Sequence, residues 1–448
     1  MKRTNLRLLS FFLMLNLFFF SCEDDEPEQS LSSDMTTTEI NQWIWEYMDL
    51  AYYWTEDMTA IDPETESDPE TYFYNLLKTP EDRWSFIVDD IDELLDYFEG
   101  ITKSMGYSIQ LYYLDSSSDQ LVAIVEYVYS DTPASEAGLE RGDMIVKIDN
   151  QIITLDNYEE LLSLETMEIT LGTITDNTLV ELTPTVNLVS REINTNPIVK
   201  DTILEIDGTK IGYLAYTSFI SNYDDQLVDV FTEFKSNNID ELVLDLRYNG
   251  GGSVNTALLM ASLIAPSSAI NDIFIYEKWN MNLTEYDETL KLYTHEANLN
   301  LNKLYVLTTE GTASASEMVI YGLEPYMDII QIGNTTHGKY YASITLYDEE
   351  KRHNWGIQPI VLRSENKTNS INYSEGLPAD YEADDIYYNA PLGDPEEQFL
   401  EIAISLITTG SVPATSQLKS AKAKIIAEGC KDSLDPLRTV MVVPYPNK

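Results

Sequence analysis

The stretch that decides the fold is Val243-Leu244-Asp245-Leu246-Arg247-Tyr248-Asn249-Gly250-Gly251-Gly252. Its apolar start and glycine-rich end are typical of a buried strand that runs into a tight turn before a helix. Glycines at such a turn leave backbone N–H groups bare, so that these groups can face a developing oxyanion. A phosphate-binding loop is the competing function, but the stretch lacks a Gly-Lys-Ser/Thr ending and a GxGxxG pattern. A purely structural strand-to-helix turn is the third interpretation.

Apolar strands alternate with helices on both sides of this stretch. The pattern predicts strands at 210–216, 242–246 and 304–307, and helices at 226–234 and 255–264. Such alternation is typical of an α/β domain with a largely buried sheet. We assign this domain to residues 191–415 and treat residues 416–448 as a C-terminal extension.

A candidate nucleophile lies in Thr312-Ala313-Ser314-Ala315-Ser316-Glu317, between a strand and a helical run at 318–323. A serine at a strand-to-helix turn can present its hydroxyl at the edge of the sheet, beside the free N–H groups of the new helix. Ser314 and Glu317 also form the pattern of a capping box, and the segment taken alone favours simple capping.

A candidate base follows in Gly338-Lys339, between predicted strands at 329–332 and 340–346. A lysine after a glycine is ordinarily a surface residue. In a dry pocket, however, its pKa falls from about 10.4 to about 7 or 8, and it can then deprotonate a serine at neutral pH.

The histidines do not suggest a metal site. His295, His337 and His353 are the only three in the chain, and none has metal-ligand spacing. His337 is two residues from Lys339 and could line a site, although a loop position explains it equally well. A Ser-His-Asp triad is possible in principle, but a Ser-Lys pair explains more of the pattern, and we predict no cofactor.

Two regions of different pattern precede the α/β domain. Residues 36–100 begin with a capping box at Thr36 and Glu39 and continue with apolar residues at helical spacing, which predicts a small helical N-terminal domain. Residues 101–190 contain short β-like runs, and their turns resemble those of a PDZ domain. The matching turns are Thr132-Pro133-Ala134, Ala137-Gly138-Leu139 and Gly142-Asp143. A PDZ domain adds a peptide as an extra strand and binds its terminal carboxylate, and the resemblance places that peptide-binding loop at Gly106, Tyr107 and Ser108.

The first residues resemble the leader of a lipoprotein. A basic start precedes an apolar run at 8–20 that is too short to span a bilayer, so residues 1–21 are predicted to be a signal peptide. Phe19-Phe20-Ser21-Cys22 resembles the box read by lipoprotein signal peptidase, which predicts a lipid on Cys22 and a flexible tether over 22–35. An ordinary signal peptide with an incidental cysteine is the alternative. The acidic run after Cys22 resembles the tag of surface lipoproteins of the Bacteroidetes, and we expect an outer-membrane lipoprotein that faces the periplasm or the cell surface.

The charge of the chain excludes one class of partner. The 448 residues include 76 acidic and 27 basic residues, a formal net charge of −49. Such a chain repels phosphate backbones, so nucleic acid is not an expected partner. After lipidation of Cys22, Cys430 would be the only free thiol, and no intrachain disulfide could form.

Together the Asp-Leu-Arg-Tyr-Asn-Gly-Gly segment, the Thr-Ala-Ser-Ala-Ser-Glu segment and Gly338-Lys339 resemble the C-terminal processing (tail-specific) serine peptidases, in a divergent lipoprotein branch. The resemblance covers roughly residues 70–405. It implies an α/β core of the ClpP/crotonase type, classed as α+β, with an inserted PDZ domain and a helical N-terminal domain. It also implies Ser314 as nucleophile, Lys339 as base, and an oxyanion hole from the N–H groups of Ala315 and Gly251.

The chain departs from this family in one place that matters. The family often has a glutamine four residues after the base, whereas this chain has Ser343, whose side chain is shorter. The resemblance implies an endopeptidase that cleaves unfolded or extended polypeptides bound through the PDZ domain, with a homo-oligomer as an open question. A non-catalytic binding protein of the same fold is the main alternative, and a scaffold in a surface uptake assembly is another.

Overall fold

A computed structural model describes residues 35–114, 119–176, 178–368, 373–385, 390–413 and 441–442. The predicted signal peptide, Cys22, nearly all of the tether and most of the C-terminal extension, including Cys430, lie outside the described residues. Within the described residues, no helix has both the length and the apolar character needed to cross a membrane.

The N-terminal region consists mainly of helices. Its elements are α1 (Thr37–Ala51), α2 (Pro69–Leu76), β1 (Phe86–Val88), α3 (Ile91–Glu99) and β2 (Ile101–Ser104). The predicted capping box is confirmed, since the Thr36 side chain accepts from the Glu39 N–H and the Glu39 carboxylate accepts from the Thr36 N–H. Buried side chains of α1 and α2 such as Ile44 and Phe73 belong to the same apolar cluster as the α/β core. Helices α1 and α2 are therefore packed onto that core, whereas Ile91 and Leu94 of α3 form a small separate cluster with Phe86 of β1.

The second region is a β-domain with its own apolar core. Its strands are β3 (Tyr107–Tyr113), β4 (Leu121–Val128), β5 (Met144–Ile148), β6 (Gln151–Ile152), β7 (Thr166–Thr175), β8 (Thr178–Glu181) and β9 (Val186–Val189). Two short helices accompany them, α4 (Pro133–Glu136) and α5 (Tyr158–Leu162). The main strand order is β3-β4-β5-β7-β8, so β3 is at an edge of the sheet. Strand β10 (Arg191–Asn194) then pairs antiparallel with β2 and returns the chain to the core.

The α/β core contains a six-stranded sheet in the order β11-β12-β13-β17-β18-β23. Its strands are β11 (Ile198–Ile206), β12 (Thr209–Tyr216), β13 (Glu241–Asp245), β17 (Lys303–Thr308), β18 (Asp328–Gly333) and β23 (Tyr381–Glu382). From β12 to β23 every pair is parallel. The carboxyl ends of these strands therefore lie at one edge, where active-site loops collect in open α/β sheets.

Helices cover both faces of this sheet. They are α6 (Asp224–Ser236), α7 (Val254–Ile264), α8 (Ala315–Leu323) and α9 (Gln398–Thr409). Successive side chains of a strand point to opposite faces, so Leu244 packs in the cluster of α6, α7 and α8, while Val243 packs in the cluster of α9. The predicted α/β core with an inserted β-domain is confirmed.

Two smaller sheets close the molecule around the site. One has the order β14-β24-β19-β22-β15-β16, and the other has the order β1-β21-β20. Their strands are β14 (Gly252–Ser253), β15 (Ile273–Trp279), β16 (Glu288–Lys291), β19 (Tyr341–Ser343), β20 (Leu346–Tyr347), β21 (Gly356–Gln358), β22 (Ile360–Glu365) and β24 (Met441–Val442). Since β1 pairs with β21, the N-terminal region contributes a strand to the surroundings of the site.

Candidate active site

Ser314 occupies the turn between β17 and α8. Its backbone has φ 65° and ψ −114°, a conformation that L-residues rarely adopt and that is found mainly at functional sites. The side chain is completely buried, and its Oγ has no hydrogen-bond partner among the described residues. The hydroxyl is therefore not used to cap α8, as the capping interpretation would require, and it is available for chemistry.

Glu317 joins the loop of Ser314 to the loop of Lys339. Its Oε2 accepts from the backbone N–H of Ser314 at 2.8 Å and from the backbone N–H of Lys339 at 2.9 Å. Its Oε1 accepts from the N–H of Gly338 at 2.7 Å and from the hydroxyl of Thr336. One carboxylate therefore holds the two predicted catalytic residues next to each other.

The sequence analysis assigned Glu317 only a capping role. The hydrogen bond from the Ser314 N–H is the half of the capping box that the structure retains, while the other three bonds come from residues 19 to 22 positions later in the chain. Burial raises the pKa of Glu317 to about 7, although the four donated hydrogen bonds oppose that rise. The Ser-x-x-Glu pattern drew attention to Glu317, but it did not predict that Glu317 bridges two loops.

Lys339 is buried immediately before β19. Gly338 has φ 92°, and a Cβ at this position would lie 2.4 Å from the carbonyl oxygen of Ser374, so only glycine fits the turn that delivers the lysine. Burial lowers the pKa of Lys339 to about 7, against the opposing influence of Asp82 and Glu317. An amine with this pKa is about half neutral at pH 7 and more so as the pH rises, so it can act as a base near neutral pH.

Asp82 brings the N-terminal region to the site. Its Oδ1 accepts from the N–H groups of Trp84 and Ser85, both at 3.0 Å, and its Oδ2 accepts from the Tyr52 hydroxyl at 2.9 Å. The carboxylate is buried and acts on the pKa of Lys339. The sequence analysis did not include Asp82 among the site residues, because it lies more than 200 positions before the nucleophile.

His337 is held by a tryptophan of the N-terminal region. Trp84 Nε1–H donates to His337 Nε2 at 3.3 Å, and burial lowers the pKa of this histidine. An Nε2 that accepts from Trp84 cannot at the same time take a proton from Ser314. Nε2 of His337 is thus engaged with the N-terminal region in this structure. His353 packs against the ring of Trp43 in α1, with centroids 4.6 Å apart.

The glycine turn after β13 is fixed by Asn249. The Asn249 Nδ2 group donates to the carbonyl of Tyr216 at 2.9 Å, and its Oδ1 accepts from the Gly251 N–H at 2.9 Å. In this conformation the Gly251 N–H, which the sequence analysis chose for the oxyanion hole, is therefore engaged within the turn. The neighbouring Gly250 N–H has no acceptor among the described residues.

The same turn touches the loop of the nucleophile. The Asn249 carbonyl accepts from the Ala313 N–H at 3.1 Å and from the Ser316 hydroxyl at 2.9 Å. Ala315 is the first residue of α8, so its N–H has no acceptor within the helix, and none is found among the other described residues. The two bonds to the Asn249 carbonyl hold the glycine turn against the loop of Ser314.

Ser343 lies at the end of β19 and is completely buried. Gln358 of β21 donates an N–H from Nε2 to Ser343 Oγ at 3.1 Å. An amide side chain therefore does reach this part of the site, although it comes from a different strand and not from position 343 itself. Nothing in the sequence around Gln358 indicated this.

The predicted peptide-binding residues lie at the start of the edge strand β3. The Gly106 N–H donates to Ser104 Oγ at 3.1 Å, and the Ser108 hydroxyl donates to Glu126 at 2.7 Å. Tyr107 begins β3, whose outer edge pairs with no other described strand. The edge can accept an additional strand, whereas the side chain of Ser108 points into the domain.

No group of three or more His, Cys, Asp or Glu side chains in the described part of the chain is arranged to hold a metal ion. The site consists of the buried Ser314 hydroxyl, the buried Lys339 amine of lowered pKa, the bridging Glu317 carboxyl group, and the N–H groups of Gly250 and Ala315, which have no acceptor among the described residues. Such a set can carry out acyl transfer through a serine.

Comparison with known protein families agrees with a site for acyl transfer through a serine. The profile of peptidase family S41 matches residues 210–352, the S41 N-terminal domain matches 39–86, and a PDZ domain matches 124–170. Over these residues the chain is similar to peptidase family S41. The S41 match contains Ser314, Lys339 and the glycine turn, and the N-terminal match contains Asp82.

Individual S41 relatives have modest identity. The chain is 29% identical over 219 residues to the chloroplastic carboxyl-terminal-processing peptidase 2 of Arabidopsis thaliana and 27% identical over 212 residues to a carboxy-terminal processing protease of Bacillus subtilis. Each alignment covers 46% of this chain. They cover only 40% and 42% of the two relatives, so the chain spans less than half of their length.

One solved S41 structure is similar over nearly its whole length. A crystal structure from Bacteroides fragilis, assigned to the S41 proteases, is 28% identical and superposes with a TM-score of 0.72. The superposition covers 82% of this chain and 97% of the Bacteroides fragilis chain. The arrangement of helical region, PDZ domain and α/β core is therefore shared with a solved member of the family.

Proposed function

We propose that this protein is a serine endopeptidase in which Ser314 is the nucleophile and Lys339 the general base. The observation that carries the proposal is the bridging carboxyl of Glu317, whose Oε2 accepts from the backbone N–H groups of both residues. The Ser314 Oγ, which has no hydrogen-bond partner in the described part of the chain, and the lowered pKa of Lys339 support it.

The reaction begins with the neutral amine of Lys339. It takes the hydroxyl proton of Ser314 as Oγ forms a bond to the carbonyl carbon of the scissile peptide, and the π electron pair moves to the carbonyl oxygen. The N–H groups of Ala315 and Gly250 are the donors that we assign to this oxyanion, and one such donor typically contributes about 100 to 1000-fold in rate. The C–N bond then breaks as the Lys339 ammonium protonates the leaving amine, and water hydrolyses the acyl-enzyme.

We further propose that the substrate is an extended or unfolded polypeptide. An edge strand such as β3 can pair with it through backbone hydrogen bonds, which requires no defined side chains in the substrate. The predicted lipid on Cys22 would hold the enzyme at the outer membrane, facing the periplasm or the cell surface.

Cleavage of casein by the purified chain tests the proposed activity. We expect Ser314→Ala and Lys339→Ala each to lower kcat/KM by at least about 10⁴-fold, because nucleophile and base act as a unit. The pH profile of the parent should rise through about pH 7 as Lys339 loses its proton.

Two matched variants control for effects on folding. Ser262→Ala removes a buried hydroxyl of α7 that accepts from the Tyr293 N–H, and Lys303→Ala removes a lysine from the start of β17. Both should retain activity. Equal cleavage by parent and Ser314→Ala would show that the site is wrongly assigned. Absence of cleavage by the parent would favour a binding protein.

A further inference from the structure

Strand β24 (Met441–Val442) lies between β14 and β19 in the second sheet. Strand β14 begins at Gly252, at the end of the glycine turn, and β19 begins at Tyr341, two residues after Lys339. The two neighbours of β24 are therefore the strands that lead away from the proposed oxyanion donors and from the proposed base. A segment from the last part of the chain lies beside both.

The pairing of β24 fixes its direction and the width of the space that it fills. It pairs in parallel with Gly252 and Ser253 on one side and with Ser343 on the other. The outer edges of the two flanking strands have other partners, since β14 bridges to Phe219 and β19 pairs with β22. Neighbouring strands lie about 4.8 Å apart, so β14 and β19 enclose a slot about 10 Å wide, which takes one extended chain.

The slot has an apolar pocket that Val442 enters. The Val442 side chain is partly buried and packs against a cluster of three buried side chains, those of Phe86, Ile91 and Leu94. Tyr347 of β20 packs against the same cluster. An aliphatic side chain is stabilised in such a pocket because it leaves water, whereas a carboxylate would lose its hydration there.

A strand in this slot excludes a second one. The inner edges of β14 and β19 present backbone N–H and C=O groups, and β24 pairs with both edges. An extended substrate that lies against the same edges needs the same groups, because strand addition uses main-chain hydrogen bonds. Strand β24 and a substrate strand therefore cannot occupy the slot together.

We propose that the slot between β14 and β19 binds the substrate segment next to the scissile bond, and that β24 occupies it as an internal competitor. This inference rests on the proposed function. The substrate segment enters as an extended strand parallel to β14, with an aliphatic side chain in the pocket of Val442, after β24 has left. The chemistry at Ser314 and Lys339 is not altered, so β24 changes substrate binding and not the turnover of bound substrate.

Val442→Asp in the whole chain tests the competition. The carboxylate cannot enter the apolar pocket without losing hydration, so β24 should leave the slot. If the slot is free in about a tenth of the parent molecules, KM for casein should fall about tenfold in the variant while kcat stays the same. A lower kcat/KM in Val442→Asp than in the parent, or an unchanged KM, would show that β24 only completes the sheet.

Val412→Asp is the matched control for this exchange. Val412 follows α9 and is 44% exposed, so the new carboxylate there stays in water. Its KM for casein should equal that of the parent. A fall in KM of the same size in both variants would contradict the proposal, because it would reflect the added charge and not the vacated slot.

A binding measurement separates this proposal from the proposed function. The probe is a fluorescein-labelled peptide with the sequence of residues 438–446, and its anisotropy is followed with Ser314→Ala protein and with the Ser314→Ala, Val442→Asp double variant. We expect the double variant to bind the probe at least about tenfold more tightly, because its slot is free. A probe that itself carries Val442→Asp should bind the double variant at least about tenfold more weakly than the unmodified probe.

These binding results do not depend on catalysis. Tighter binding of the unmodified probe by the double variant supports the slot even if the parent cleaves nothing. Equal or undetectable binding to the two proteins would overturn the role of β24, and cleavage of casein by the parent would then leave the peptidase assignment standing.

Discussion

Two cations are buried in this core to the same degree and have opposite electrostatic surroundings. Arg247 and Lys339 are each 1% exposed. The Arg247 guanidinium contacts three carboxylates, those of Asp245 at 2.6 Å, Glu397 at 2.8 Å and Asp385 at 3.1 Å. Burial would lower its pKa, but these carboxylates outweigh burial and raise it. At Lys339 burial prevails and the pKa falls to about 7.

This difference distinguishes Arg247, a cation that supports the structure, from Lys339, a cation that can exchange a proton. Arg247 is neutralised by groups whose hydrogen bonds match its planar fork, so it remains charged and fixes the end of β13 before the glycine turn. The carboxylates of Glu317 and Asp82 accept hydrogen bonds from several other groups, and burial of Lys339 prevails, so the amine can lose and regain a proton. The same loop edge thus contains one cation that holds the turn and one that can serve as a base.

Replacing Arg247 should have the largest effect on stability. Arg247→Met leaves Asp245 buried without its cation, while Glu397 keeps only Arg141 at 3.5 Å, and we expect the free energy of unfolding to fall by about 3 to 5 kcal/mol. Urea denaturation at pH 7.5 measures this. Arg352→Met is the control, because the Arg352 side chain is 50% exposed beside Asp348 and its loss should change little. A loss no larger than that of the control would remove the distinction between the two cations.

Replacing Lys339 by methionine should change the free energy of unfolding in the opposite direction. The folded state has a Lys339 pKa of about 7, below the unfolded value of about 10.4, so burial penalises the folded protein most below pH 7 and the penalty fades as the pH rises toward 10.4. Lys339→Met should therefore raise the free energy of unfolding by about 3 kcal/mol at pH 6 and by little near pH 10. Denaturation curves at both pH values check this. A destabilised Lys339→Met protein at pH 6 would contradict the proposed contrast.

The Arg247 cluster extends into the PDZ domain through Arg141. The Arg141 guanidinium donates to the carbonyl of Glu126 at 2.7 Å, to the hydroxyl of Tyr248 and to Asp385 at 3.0 Å. Since Asp385 keeps Arg247 as a partner, Arg141→Met should cost less than Arg247→Met, about 2 kcal/mol. Backbone amide hydrogen exchange should speed up in β4 and at the end of β13, which Arg141 joins, but not within β7. Arg191→Met, which removes an exposed pair with Glu136, should leave exchange at that boundary unchanged.

Local patterns predicted the elements of this fold well. The Thr36 cap and the strand that ends in Asp245 both follow from side chains within a few residues of one another. The positions of Ser314 and Lys339 were predicted from the resemblance to a family, and the structure places both at the carboxyl edge of the parallel strands. The choice of Gly251 over Gly250 was not decidable from the sequence, because it depends on which N–H the Asn249 side chain accepts from.

The sequence by itself determined that this chain forms an α/β core with an inserted β-domain and contains a serine and a lysine at strand ends. Those properties rest on periodicity and turn chemistry, which act over a few residues. Only the tertiary structure decided that Glu317 bridges two loops, that Asp82 faces the base and that Gln358 binds Ser343. These contacts join residues 15 to more than 200 positions apart, and they form because strand pairing and burial, not local preference, bring the groups together.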